Sequence, residues 1–211
     1  MMMTLILLLL FGLTAGLIWM HGLWGAAVTL VNLLLAMLLA TNFFEPVANL
    51  AEGMVKSGTY FFDYVSLWGL FIVFFGIFRA ITDGLSSSAV KFIMPVEMAG
   101  RTIIALWCGW LMVCFTTFSL QMAPLNSVTP MGAWQSPKDS TFLGFSPDRI
   151  WLGFMQQNSR GYLARGKFSD LPAHPNDELL NVEAFDPQAE FPYKYAYRRK
   201  QYADLEGMSP P

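Results

Sequence analysis

Charged side chains are absent from the first 44 residues, which contain no Asp, Glu, Lys or Arg. A water-soluble domain cannot be built from such a run, because about a quarter of its residues are normally charged. As one straight helix, Thr4–Phe44 extends about 60 Å, twice the thickness of a bilayer's hydrocarbon core. A break is therefore needed, and Met20-His21-Gly22 combines an ionisable group with a helix-weakening glycine. We predict a hairpin of two membrane spans, Thr4–Met20 and Leu23–Phe44.

Cysteine and histidine are also scarce, with two of each. Cys108 and Cys114 are six residues apart, which places them about 240° apart around a helix, too far to bridge each other. His21 and His174 are 153 residues apart, and there is no Gly-rich phosphate-binding loop. These patterns indicate no metal site, no cofactor and no catalytic triad. We expect a protein that is not an enzyme, although an active site assembled from distant carboxylates stays open.

An excess of basic charge is missing as well, since the formal net charge is −2. Residues 1–124 contain 4 basic and 5 acidic groups, whereas residues 125–211 contain 9 and 10. Neither part has the charge excess expected of a partner for nucleic acid. The uneven density predicts a lipid-solvated membrane domain over residues 1–124 and a water-exposed tail over residues 125–211.

A secretory signal needs a positive N-terminal segment, and Met-Met-Met-Thr supplies none. Cleavage near Gly25-Ala26-Ala27 is the alternative. We expect an uncleaved membrane anchor.

Two further apolar runs predict a third span over Tyr60–Ile81 and a fourth over Thr102–Ala123, which Pro124 stops. Pro46 is expected to end the second span, and residues 47–60 are expected to form an interfacial connection. The predicted fold class is an all-α integral membrane protein with four transmembrane helices, arranged as two helical hairpins. A mostly irregular C-terminal tail follows them.

Small residues allow helices to approach each other closely in a membrane. Gly12 and Gly16 have this small-xxx-small spacing in the first span, and we expect them to pack on the second span. Gly22 and Gly25 belong to the hairpin turn and the start of the second span. Gly109 keeps one face of the fourth span small.

Three polar side chains within the spans, Asn32, Asp63 and Arg79, are candidates for an intramembrane site. Each costs several kcal/mol in hydrocarbon if it lacks a partner. In one interpretation Asn32 bonds a neighbouring helix, while Asp63 and Arg79 anchor opposite ends of the third span. In the other, the three side chains line a polar path for an ion or a proton.

The membrane region resembles the colicin V production protein (CvpA) family over roughly residues 4–124. The similarity rests on the order and spacing of the spans, on Gly22-Leu23-Trp24-Gly25 with its Ala-rich continuation, and on Gly100-Arg101 before the fourth span. The chain departs from the family pattern at His21, where members usually carry a basic residue, and in a glycine ladder reduced to Gly109. The resemblance implies a four-helix inner-membrane protein associated with toxin production or export and envelope function, without established catalytic residues.

The tail contains a strong helix start at Ser146-Pro147-Asp148, with a capping Ser, Pro at the first helical position and an acid in the first turn. We predict a helix over residues 146–165, ended by Gly161 or Gly166. Its apolar face is expected to dock on the membrane domain or the bilayer surface, since the tail has few aliphatic residues for a core of its own. A small soluble subdomain is the alternative, and a second helix is predicted over residues 192–206. The docking residues are Ile150, Trp151, Phe154 and Met155.

Basic residues predict the orientation of the spans. The connection from Arg79 to Arg101 carries three basic groups, whereas residues 45–59 carry one. By the positive-inside rule this connection is cytoplasmic, so the N-terminus and the tail lie on the extracytoplasmic side. We expect an accessory protein that binds a membrane or envelope protein through its tail, with a homo-oligomer as a further option. The alternative is a small transporter or channel subunit.

Overall fold

The computed structural model describes residues 2–54, 59–85, 90, 92–123, 142–159, 185–186 and 190–197. Within these residues the chain is all-α, with no strand beyond an isolated bridge between Phe142 and Phe145. Residues 191–197 form a short helical segment. The predicted all-α class is confirmed for this part of the chain. The helices are α1 (Met2–Trp19), α2 (Gly22–Met54), α3 (Thr59–Leu85), α4 (Met94–Met122) and α5 (Pro147–Ser159).

Three helices, α2, α3 and α4, are long and apolar enough to cross a membrane. Their apolar stretches are Gly22–Gly53, Phe61–Leu85 and Met94–Met122, and α1 adds a shorter one over Met3–Trp19. Each of the three long stretches exceeds the roughly 20 residues that a bilayer's hydrocarbon core requires. The fold is that of a membrane protein with transmembrane helices.

The hairpin between α1 and α2 lies where the sequence predicts it. The amide of His21 donates to the carbonyl of Ile18 at 3.0 Å, which closes the last turn of α1. Gly22 has a φ of +72°, a left-handed conformation that only glycine adopts at low cost. His21 Nδ1 lies 2.8 Å from the carbonyl oxygen of Leu17, so its polar ring is held against the preceding turn.

Pro46 does not end α2, contrary to the sequence-based expectation. The helix continues to Met54, so residues 47–54 belong to α2 and do not form a separate interfacial helix. An internal proline removes one backbone hydrogen bond and costs about 3 kcal/mol. Of the residues that follow the proline, Ala48 is completely buried, whereas Val47 and Leu50 are exposed. Residues 55–58 lie outside the described part of the chain.

The fourth apolar helix starts earlier than expected. α4 begins at Met94, about two turns before Thr102, and Pro95 occupies its first turn. Proline fits there because the first amides of a helix have no intrahelical partner. The helix ends at Met122, close to the predicted stop at Pro124.

The four long helices pack with α2 and α4 in the centre, α3 against α2, and α1 against α4. Trp19 Nε1 donates to Thr102 Oγ1 at 3.1 Å, while Leu7 packs near Val113, so α1 and α4 run antiparallel. α1 was expected to pack mainly on the second span, but its main neighbour is α4. We call the end with the α1–α2 turn the hairpin end, and the end where α4 finishes the tail end.

The core is densest at the tail end, where aromatic rings from several helices meet. Phe115 of α4 packs against Trp68 and Phe71 of α3 and against Trp151 of α5, with ring centroids 5.1–5.8 Å apart. Phe118 continues the cluster one turn later with a stacked contact to Phe191 at 4.9 Å. Aromatic contacts of this kind contribute beyond their buried area. They join the tail to the bundle.

Candidate functional site

Arg79 forms a polar cluster at the hairpin end, between α3 and α2. Its Nε donates to Asp83 Oδ2 at 3.0 Å, one helical turn further along α3. Its Nη1 donates to Thr29 Oγ1 of α2 at 3.1 Å. Arg79 therefore ties two helices together close to the helix end, where its charge can also reach the headgroup layer.

Asn32 lies at the same end and bonds the same pair of helices. Its Nδ2 donates to Thr82 Oγ1 at 2.8 Å, and Thr82 donates in turn to the carbonyl of Phe78 at 2.8 Å. The amide is buried, and this bond across the helix interface offsets its desolvation. The geometry is that of helix-packing contacts between α2 and α3.

Asp63 lies at the opposite end of α3. It is 16 residues from Arg79, or about 24 Å along the helix. Its side chain is 6% exposed, and its Oδ2 accepts a 2.8 Å hydrogen bond from the hydroxyl of Tyr195. The three intramembrane candidates thus form two separate sites, because Asn32 and Arg79 share a cluster that Asp63 does not join.

The helix α5 lies on the tail end of α2 and α4. Trp151 is 1% exposed, packs on Phe115, and donates through Nε1 to Thr41 Oγ1 at 3.2 Å. Asp148 is also buried and accepts a 2.9 Å bond from Gln121 Nε2. A tail helix is therefore joined to two membrane helices by ring packing and by two buried hydrogen bonds.

The buried face of α5 is rotated from the predicted one. Trp151 and Met155 are buried as expected, but Ile150 is 47% exposed and Phe154 is 37% exposed. The face is completed by polar residues, which a search for apolar spacing does not select. Its positions follow helical spacing through i, i+3, i+4, i+7 and i+11: Asp148, Trp151, Leu152, Met155 and Ser159. The predicted terminators Gly161 and Gly166 lie outside the described residues.

A second part of the tail, residues 185–186 and 190–197, lies across the same end of the bundle. Phe185 contacts Phe44 of α2 with centroids 6.2 Å apart, and Lys194 lies 3.5 Å from Glu45. This segment also bonds α5, since the amide of Phe185 donates to Ser159 Oγ at 2.7 Å. Sequence reasoning placed a helix near here but did not select these residues. Aromatic side chains in an aliphatic-poor tail were the available signal.

Asp186 caps the helical segment over residues 191–197. Its side chain accepts backbone bonds from the amides of Glu190 at 2.8 Å and Phe191 at 3.1 Å. Burial raises the pKa of Asp186 above its usual 3.8, and the carboxylates of Glu190 and Glu45 act in the same direction, while the two backbone bonds oppose it. The protonated carboxyl is therefore favoured by the folded tail.

Of the predicted packing glycines, Gly109 lies at a close contact between helices, whereas Gly12 and Gly16 do not. A Cβ on Gly109 would lie 2.9 Å from the carbonyl oxygen of Phe11, so α1 and α4 approach closely there. Gly100, which was not among the predicted packing residues, is similar, with Leu23 at 2.7 Å. A Cβ on Gly25 would meet only the Cβ of the preceding His21, at 3.0 Å. At Gly12 and Gly16 no atom of another described helix lies within 4 Å of a Cβ position, so none of the described helices packs closely on them.

No group of three or more His, Cys, Asp or Glu side chains within the described ranges is arranged to hold a metal ion. The described geometry supplies two chemical features: helix-joining hydrogen bonds at the hairpin end, and a docking surface for the tail at the other end. No protein family, curated protein or solved structure matches the chain.

Proposed function

We propose that the chain is a four-span inner-membrane accessory protein, which acts by binding other membrane or envelope proteins. The resemblance to the colicin V production family suggests a role in toxin production or export. In this proposal α1 crosses the membrane as well as α2, α3 and α4, because it is uncharged and lies antiparallel to α4. A length of 18 residues is at the short end of the range for a spanning helix.

The separation of the polar groups carries the proposal. A transport path needs polar side chains that converge on one wet cavity near the middle of the membrane. Here Asn32 of α2 bonds Thr82 of α3, and Arg79 of α3 bonds Thr29 of α2, both at the hairpin end. Asp63 bonds Tyr195 at the tail end. These are contacts between structural elements, which favours binding and assembly over transport.

The docked tail supports an accessory role as well. Its aromatic anchors and buried hydrogen bonds hold α5 against α2 and α4, so the tail is presented in a defined position. A rigidly placed surface can bind a partner without first losing the conformational entropy of a free chain. The exposed side chains of α5, including Ile150 and Phe154, are available for such contacts.

Toxin export from a deletion strain complemented with variants tests the proposal. Asn32→Leu keeps the side-chain volume and removes the polar group, while Trp151→Ala loosens the tail. The accessory role predicts that Asn32→Leu exports toxin normally and that Trp151→Ala does not, at equal membrane abundance. Ile103→Ala, at an exposed position of α4 away from the tail, is the control for loss of a large apolar side chain.

The opposite pattern would support the transporter or channel alternative. Loss of export with Asn32→Leu, together with normal export by Trp151→Ala, contradicts a role carried by the tail. A pull-down in mild detergent with and without residues 125–211 then identifies whether the tail contributes to partner binding. Partner capture that is unchanged by the deletion contradicts a tail-borne interface.

The proposed orientation follows from the basic residues at the hairpin end. Arg79 and Arg101 lie in this region of the structure, and Lys91 falls between them in sequence. The positive-inside rule then places the hairpin end in the cytoplasm and the tail on the extracytoplasmic side. A reporter that is active only in the cytoplasm should be inactive when fused at Pro211. Activity at that position reverses the orientation.

A further inference from the structure

The tail returns to the bundle through a tight turn at Phe142–Phe145. The amide of Phe142 donates to the carbonyl of Phe145 at 3.1 Å, and the reverse bond is 2.7 Å long. Leu143 and Gly144 between them have φ values of 47° and 82°. This is a two-residue turn of the kind that closes a hairpin with both central residues left-handed.

The turn lies beside the apolar faces of α1 and α4. Phe142 is buried in a cluster with Met3, Leu7 and Val113. The ring of Trp110 lies 6.1 Å from that of Phe142 and 6.0 Å from that of Phe145. Val113 is nine residues before the end of α4, so this contact is about 14 Å from that end.

The short length of α1 determines where the bilayer boundary falls beside the turn. The apolar stretch Met3–Trp19 spans only about 25 Å, against about 30 Å for a hydrocarbon core. A bilayer thins around a short hydrophobic helix. With Trp19 at the hairpin-end boundary, the other boundary falls near Met3, at the level of the turn.

We propose that this turn inserts the side chains of Leu143 and Phe145 into the acyl-chain layer at the tail-side boundary of the bilayer. The two side chains are 63% and 58% exposed in the fold, although their neighbours Phe142 and Trp110 pack on membrane helices. Lipid covers this exposed apolar surface, which water would not favour. The inference rests on α1 and α4 spanning the membrane as proposed above.

The backbone of the turn is compatible with this position. Polar backbone groups without partners are not tolerated in the middle of the hydrocarbon layer. At the boundary, the amides and carbonyls of Leu143 and Gly144 can bond lipid headgroups and water. Leucine is also an unusual choice at a left-handed turn position, where Asn, Asp or Gly is preferred. Acyl-chain contact supplies a reason for an apolar side chain there.

Spin-label accessibility measures the depth of the turn directly. A Leu143→Cys variant in a Cys108→Ala, Cys114→Ala background is labelled and reconstituted in phosphatidylcholine–phosphatidylglycerol vesicles. Collision rates with oxygen, which concentrates in lipid, and with a water-soluble nickel chelate are then compared. Leu9→Cys, on the exposed face of α1 and near the middle of its apolar stretch, is the lipid reference, and Glu190→Cys in the tail is the water reference.

We expect nickel collisions at position 143 to be reduced several-fold from those at position 190, toward the value at position 9. A nickel collision rate equal to that at position 190 overturns the insertion and leaves the proposed span arrangement intact. If the label at position 9 is itself accessible to nickel, α1 does not span the bilayer, and both proposals are wrong. A Leu143→Asn variant should remain folded, because asparagine suits the turn. Its turn should then leave the acyl-chain layer, which a label at Phe145→Cys would report as increased nickel accessibility.

Discussion

Removal of the Trp151 side chain should release the tail from the bundle. The indole is buried between α5 and the ends of α2 and α4, and it packs on Phe115. Replacement of a buried Trp by Ala costs about 3–5 kcal/mol. A buried area of about 200 Å² at 25 cal/mol per Å² leads to the same magnitude. The docking equilibrium should therefore shift by roughly 10²- to 5 × 10³-fold toward the undocked tail.

Limited proteolysis in detergent micelles measures this release. Trp151→Ala should expose the tail to cleavage at protease concentrations that leave the wild-type tail intact, while the fragment containing α1–α4 persists. Ile150→Ala is the matched control, since Ile150 is already 47% exposed. Trp151→Phe should be intermediate, because it keeps one aromatic ring but loses part of the buried indole surface and the bond to Thr41, worth about 1 kcal/mol. Equal protection of the Trp151→Ala and Ile150→Ala tails would falsify docking through this face.

Three further predictions concern other contacts. Gly109→Leu should destabilise the packing of α1 on α4, because a Cβ there lies 2.9 Å from a backbone oxygen, whereas Gly12→Leu should be tolerated. Thermal unfolding in detergent compares the two variants, and equal losses of thermal stability contradict the close approach of α1 and α4. Tyr195→Phe removes the hydrogen bond to the buried carboxylate of Asp63 and should weaken tail protection by about 1–3 kcal/mol. An unchanged protease sensitivity would show that this bond contributes nothing. The raised pKa of Asp186 contributes stability that is present below about pH 3.8 and is lost as the pH rises through the raised value, so tail protection should decline over that interval. Asp186→Asn keeps an acceptor for the cap and should flatten this decline. An unchanged pH profile of tail protection would show that Asp186 is not the titrating group.

The sequence by itself determined the existence of the long apolar helices and the location of the first turn. Runs without charge have to be solvated by lipid or by other helices, and helix geometry limits how far each can extend before it must turn. At His21-Gly22 the signal was local, because glycine is the residue that adopts a positive φ at low cost. The start of α5 could also be predicted from the sequence, because capping residues act within one turn of the helix end.

Only the tertiary structure decided which helices meet and which faces are buried. Pro46 carries a strong local stop signal, yet α2 continues to Met54 in the fold. α5 buries Asp148 because Gln121, 27 residues away, supplies a partner that no local pattern reveals. Likewise, the partners of Asn32, Arg79 and Asp63 come from distant parts of the chain: Thr82, Thr29 and Tyr195. Contacts between residues distant in sequence set these outcomes, because the energy of burying a polar group depends on the partner that the fold brings to it.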